Sequence, residues 1–240
     1  MQGSLSTRLR EETKEAHALA ESASFVRCFL KGVIDRASYT KLLESFARVY
    51  GAMEDALDHH RGHPVLSLVD FPELRRVTSL DEDLAFFRRF DWSSSPITER
   101  SPSLATERYV GRIRTVAYDR PELLVGHLYT RYLGDLSGGQ ILGRVAARAL
   151  GVDAESGQGV AFYRFAGIPD IRAFKTTYRE RLDRLPIDKR TADLIVGEAL
   201  LAFRSNLLLF EELEGSLEAA LGSVLWAKLT NETPTKASRR

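Results

Sequence analysis

A chain of 240 residues that is 44% hydrophobic and 28% charged is long enough to bury a sizeable core, as one large domain or two small ones. A net charge of +1 gives no support for a nucleic-acid protein, and the single cysteine, Cys28, excludes an intrachain disulfide or a multi-cysteine metal centre. No apolar run approaches the ~18 residues of a membrane span, and the N-terminal stretch is charged rather than apolar, so the expected location is the cytoplasm, or a plastid stroma if a transit peptide has been removed.

The first helix is expected from Ser4 or Ser6 to Glu21 or Ser22, with Leu5, Leu9, Thr13, Ala16 and Ala20 as its apolar stripe. Beside that stripe, Arg10, Lys14, His17 and Glu21 share one face. On these residues alone a solvated face is the ordinary reading, and a histidine between cations and an acid is a candidate ligand. A short helix over Ser24 to Lys31, stopping at Gly32, carries Cys28 as a small buried hydrophobe. The next helix runs from about Ala37 to His60, and its stripe includes Tyr39, Phe46, Tyr50 and Met53. At its end Asp55, His59, His60 and His63 lack the further acids of a metal site and read as a polar helix end. The stretch from Gly62 to Phe71 is irregular. Ser79-Leu-Asp-Glu82 has the form of a capping box opening a helix through Phe90. A loop over Ser93 to Pro102 precedes a helix from Leu104 to Ala117.

Pro121 to Leu150 reads as one long helix, begun by a proline in its first turn. Gly134, Gly138 and Gly139 interrupt it, each at a cost of about 1 kcal/mol relative to alanine. Glycine lets another body approach bare backbone. That body is either a neighbouring helix or a flat ligand, and the polar Arg131, Asp135 and Ser137 in the same stretch favour the ligand. After a loop from Gly151 to Gly159, Phe162, Tyr163 and Phe165 form an aromatic cluster. Asp170 opens a helix through Arg181, with Lys175 and Arg179 on one face. Asp188 is the expected N-cap of the last long helix, which should end near Glu214 with Gly215 as its C-cap. A final short helix spans Leu217 to Leu229. The whole reads as all-α: a single compact multi-helix domain over residues 1–229, then a polar tail, expected to be disordered, over 230–240.

The run Tyr129-Thr-Arg-Tyr-Leu-Gly-Asp-Leu-Ser-Gly-Gly-Gln140 resembles the distal-helix signature of the haem oxygenases. Glu12-Thr-Lys-Glu-Ala-His17, with Glu21 a turn later, is similar to the proximal-helix segment of that family, and the members it resembles are the soluble, biliverdin-forming ones of cyanobacteria and algae. The resemblance implies that haem b, at once substrate and cofactor, is sandwiched between the N-terminal helix and the glycine-rich helix. It makes His17 the axial iron ligand, oriented by Glu21. Lys14, Lys175 and Arg179 would hold the propionates. Arg10 stands where the family pattern has lysine, keeping the charge with a different geometry. Tyr129, Gly134, Ser137, Gly138 and Gly139 would face the haem on the distal side, while Phe203, Asn206 and Phe210 line the pocket wall. Asp135 would order a water and relay protons, positioned by Arg131 and Tyr50.

The implied reaction consumes O2 and external electrons and yields biliverdin IXα, ferrous iron and carbon monoxide by cleavage at the α-meso carbon. No dinucleotide-binding GxGxxG follows a strand, so neither a bound flavin nor a nicotinamide is expected. A separate protein, a ferredoxin or a reductase, would supply electrons, and a downstream bilin enzyme would take the product. Neither nucleic acid nor a membrane anchor is expected. The competing readings are a non-catalytic haem-binding or storage protein, a di-metal oxidase and a thiamin-degrading enzyme. A di-metal site needs about four carboxylates and two histidines on facing helices, and Cys28 in an apolar segment is a poor nucleophile.

Overall fold

Two long helices set the frame. In the computed structural model, which describes residues 3–89, 103–153 and 155–231, α4 (Arg36–His59) and α10 (Lys189–Leu221) run through the core. Each begins at the expected kind of signal: Asp35 accepts from Ser38 N–H, and Asp188 accepts from Thr191 N–H. Among the described residues every regular element is helical. The remaining helices are α1 (Leu5–Glu12), α2 (Lys14–Glu21), α3 (Ser24–Leu30), α5 (Val77–Arg88), α6 (Leu104–Asp119), α7 (Leu124–Leu128), α8 (Gly134–Leu150), α9 (Ile171–Asp183) and α11 (Ser223–Asn231). α4 packs on α5 and α6, while α10 packs on α2, α3, α6 and α7. One continuous apolar core joins them, from Leu5 to Leu217.

Four expectations about the elements need correcting. The first helix breaks at Thr13, whose hydroxyl donates back to Leu9 O at 2.5 Å while its backbone leaves the helical region at φ −98°, ψ 1°. Such a back-bond from a buried threonine bends a helix. The Pro121 helix opens as a 3-10 turn over Pro121–Leu123, becomes α7, and then widens into a π-turn over Tyr129–Leu133 before α8 begins. The Ser79 capping box is not used: α5 starts at Val77, and the carboxylate of Glu54 on α4 accepts from Arg76 N–H and Val77 N–H. Gly215 does not end α10, which continues to Leu221 and stops at Gly222, at φ 79°.

Phe90, the 93–102 loop and residues 232–240 of the expected tail lie outside the described residues. Inside the stretch expected to be irregular, Leu66–Leu68 forms a 3-10 turn, and Pro72–Leu74 forms another just after it. His60 Nε2 donates to Ala117 O at 2.8 Å, and His63 Nδ1 accepts from Val65 N–H, so both histidines serve the helix end. Among the described residues no group of His, Cys, Asp and Glu forms a metal cluster, and no helix is long and apolar enough to cross a membrane.

Candidate active site

The glycines of α8 divide into two kinds. A Cβ built on Gly134 or Gly138 would meet nothing within 4 Å, whereas one on Gly139 would lie 3.4 Å from the Tyr163 ring and one on Gly143 only 2.9 Å from Tyr163 Cβ. So the expected helix packing and the expected open backbone are both present, on different residues. Gly134 and Gly138 offer the bare face, while Gly139, expected to face a ligand, is at the packing seam together with Gly143. Upstream, Gly126 lets α7 close on α10: a Cβ there would sit 2.7 Å from Ala199 N and Ile195 O.

The π-turn carries Arg131 into the interior, where it is 6% exposed. Bulges of this kind gather at functional sites. Its guanidinium lies 4.2 Å above the Phe46 ring and donates three ways: to the Tyr50 hydroxyl at 3.2 Å, to Asn206 Oδ1 at 2.9 Å and to Asp135 Oδ1 at 3.4 Å. Burial lowers the Arg131 pKa from its usual value. The other oxygen of Asp135, Oδ2, is buried without a partner. Burial pushes the Asp135 pKa well above the ordinary carboxylate range, because one long contact to a shared guanidinium compensates little of the lost hydration. The arrangement is a carboxyl at the bare glycine turn of α8 whose protonated form is favoured by burial.

His17 stands on α2, with its side chain 48% exposed. One ring nitrogen, Nε2, lies 3.6 Å from Glu21 Oε1. The ring meets Phe203 edge to face at 5.4 Å. Phe203 and Asn206 sit almost one turn apart on α10, so this helix touches the histidine with one residue and the Arg131 network with the other. Phe210, another turn on, stacks with Phe25 at 6.2 Å.

The cations gather at one edge. Lys175 Nζ on α9 donates to Ser137 Oγ on α8 at 3.3 Å. Burial, together with repulsion from Arg179 and Arg172, depresses the Lys175 pKa. The Tyr129 hydroxyl is pushed up by burial and pulled back by the positive charges of Arg179 and Arg10, which places α1, α9 and the π-turn around one spot. Arg10 itself is 69% exposed and pairs with Glu11 at 2.7 Å, and Lys14 is exposed just beyond the Thr13 bend. An imidazole, a cationic rim and a glycine face with the Asp135 carboxyl beside it are the donor set that a flat, dianionic metal macrocycle needs, so the residues present fit haem.

Several participants are not singled out by sequence patterning. Phe46 and Tyr109 have the spacing of core residues; yet Phe46 floors the Arg131 guanidinium, and Tyr109 packs 5.7 Å from the buried ring of His127. Gly143 is not singled out by the sequence reading either, although its spacing of four from Gly139 is a signal that could have marked the seam.

The profile of the family described as heme oxygenase matches residues 3–212 of the chain. Heme oxygenase 1 of a Nostoc species is 47% identical over 232 residues, which cover 97% of this chain and 95% of that relative. Heme oxygenase of the alga Guillardia theta is 43% identical over 231 residues, 96% of this chain and 95% of its own length. The crystal structure of heme oxygenase-1 from the cyanobacterium Synechocystis in complex with heme superposes with a TM-score of 0.84 at 48% identity, covering 95% of this chain and 100% of that one. Heme oxygenase-2 of the same organism, in complex with heme and NO, gives 0.89 at 38% identity, covering 98% and 95%. The chain belongs to the haem oxygenase family, enzymes that degrade haem.

Proposed function

We propose that the protein binds haem b between α2 and α8 and cleaves it at the α-meso carbon, giving biliverdin IXα, ferrous iron and carbon monoxide. The observation that carries this reading is the half-buried Asp135 carboxyl, its Oδ2 shielded and unpartnered, beside a glycine face where a Cβ would meet nothing. Bound haem supplies the iron that activates O2 and the macrocycle that is oxidised.

His17 would hold the iron through the ring nitrogen that Glu21 does not face, and Glu21 would orient the ring, as carboxylate neighbours of ligating histidines do. Gly134 and Gly138, where a Cβ would meet nothing within 4 Å, would leave room for the distal face of bound haem, with Gly139 behind them. Asp135 would hold a water over that space and pass protons through it, since a bridging water is nearly as effective as a direct hydrogen bond. Arg131, fixed by Tyr50 and Asn206, aims the carboxyl. Phe203 and Phe210 exclude water from the pocket wall. Lys14, Lys175 and Arg179, with Arg10 and Tyr129 at the same edge and Ser137 beneath Lys175, would grip the propionates and so fix which meso carbon faces the glycines. Electrons would come from an outside protein; a ferredoxin suits the exposed cationic edge, and a reductase would use the same charge. A bilin enzyme would receive the product. We place the reaction in the cytoplasm or a plastid stroma.

The test is to titrate purified protein with haemin and then add a ferredoxin system or ascorbate in air. The Soret band should form, decay and give way to a broad red biliverdin absorption. Asp135→Ala should still bind haemin and make little biliverdin. A Soret band that survives reductant in the unaltered protein would instead identify a haem store.

A further inference from the structure

A single carboxylate holds the back of the distal site in place. Asp83 on α5 is fully buried and accepts from Ala161 N–H at 2.7 Å and Phe162 N–H at 2.8 Å. These residues open the 3-10 turn Ala161–Tyr163. The turn sends two rings in different directions. Phe162 lies 5.4 Å from the Phe46 ring and 5.6 Å, edge to face, from Tyr50. Those are the two rings the Arg131 guanidinium faces, at 4.2 and 5.2 Å. Tyr163 seats on the seam of α8 at Gly139 and Gly143. So the position of the turn bears on both halves of the site: the floor beneath Arg131 and the rear of the glycine helix.

Among the described residues no cation pairs with Asp83; its partners are backbone N–H groups. Burial lifts its pKa to about 6 although the N–H groups of Phe162, Ala161 and Gly159 oppose the rise. Its charged neighbour is Glu82, and the titratable groups facing it from α4 and from the turn are the hydroxyls of Tyr39 and Tyr163. Tyr39 in turn donates to Gly159 O at 3.2 Å, a second tie on the same segment. Burying a carboxylate without a cation is costly, and what this one achieves is the placement of the turn.

We propose that Asp83 is a positioning residue for the distal network: by holding the N–H groups of Ala161 and Phe162 it sets the ring floor under Arg131, and through Arg131 the aim of Asp135. The proposal rests on the reading of Asp135 given above. It places two positions far apart in sequence, 83 and 162, in the geometry of a proton-handling group that neither touches.

Asp83→Asn keeps one acceptor, and Asp83→Leu keeps none. Phe162→Leu leaves the Asp83 hydrogen bonds intact and removes the ring beneath Tyr50. Each variant, loaded with haemin, is titrated with pH while the visible bands of the ferric complex are followed, because the midpoint of that transition reports hydrogen bonding above the iron. Amide exchange at 161–163 is measured on the same proteins without haemin. Asp83→Asn and Phe162→Leu should move the midpoint in the same direction as Asp135→Ala, and by less, with biliverdin yield falling in step; exchange at 161–163 should quicken in the Asp83 variants. If Asp83→Leu fails to fold, the other two variants decide. A folded Asp83→Asn and Phe162→Leu with unaltered midpoints, beside an Asp135→Ala that shifts, would overturn the role of Asp83 alone. An Asp135→Ala that leaves the midpoint in place would overturn the reading of Asp135 and the inference built on it.

Discussion

Two carboxylates in this protein, the half-buried Asp135 and the buried Glu198, are driven in opposite directions. Asp135 shares a stretched contact with a guanidinium that also serves Tyr50 and Asn206, and burial prevails, so its proton is retained more readily than that of an ordinary aspartate. Glu198 on α10 is also buried, which by itself would raise its pKa, but hydrogen bonds from His127 Nε2 at 3.2 Å and from both Nε and Nη2 of Arg112 bring it down to about 2. Full pairing keeps a carboxylate charged; a stretched, shared pairing leaves it poised to take a proton. The sign for stability follows. The folded pKa of Glu198 lies below its ordinary 4.5, so its contribution is complete above about pH 5 and is lost as pH falls toward 2. The shift corresponds to roughly 3 kcal/mol. Glu198→Gln should therefore lower the denaturant-derived unfolding free energy near neutral pH by an amount of that order, and the gap between the two proteins should close on acidification. A gap that stays constant down to the acid limit would show that packing, and not charge, supplies the stabilisation.

At the scale of elements, the helix starts are tied to distant helices. Asp183 of α9 accepts from the N–H and hydroxyl of Ser6 at the start of α1; Glu214 accepts from Ser24 N–H at α3; Glu54 serves α5; and Glu212 accepts from Leu104 N–H and Ala105 N–H at α6. Acids suit these positions because the first N–H groups of a helix lack partners and the dipole is positive there. α8 shows the other way in which an element is shaped by its surroundings. Gly138→Ala should raise the melting temperature of the haem-free protein, since a Cβ meets nothing and helix propensity improves by about 1 kcal/mol, while haemin affinity or turnover falls. Gly143→Ala should lower the melting temperature, because its Cβ runs into Tyr163 and overpacking typically costs about 1–3 kcal/mol. Thermal melts and haemin titrations of the two variants check the opposite signs; a stabilised Gly143→Ala would refute the seam.

At the scale of the molecule, α10 is the shared wall. It reaches His17 through Phe203, the Arg131 network through Asn206, α3 through Phe210 and Glu214, and α6 through Glu198 and Glu212. α9 closes the cationic edge against α1 and α8. If Lys175 and Arg179 set the rotation of bound haem, replacing both with alanine should mix the biliverdin isomers resolved by chromatography and weaken haemin binding. A single unchanged isomer at unchanged affinity would remove that role.

The Asp35 and Asp188 caps and the stripes of α4 and α10 were legible in the chain because helical periodicity and turn chemistry act over a few residues, whereas the 129–140 run and the His17–Glu21 pair were read as parts of a site through their resemblance to the haem oxygenases. The bend at Thr13, the π-turn, the run of α10 past Gly215 and the start of α5 two residues before Ser79 were not legible, since packing and hydrogen bonds outside the local pattern outweighed propensity there. The same holds within the site. Sequence marked Gly134, Gly138 and Gly139 alike, and only the seating of Tyr163 separated the open glycines from the packed one. Sequence by itself determined which chemical groups this protein has. The tertiary structure decided which of them are buried, and with that which carboxylate is pushed toward its charged form and which toward its protonated form, because desolvation and pairing are properties of neighbours far apart in the chain.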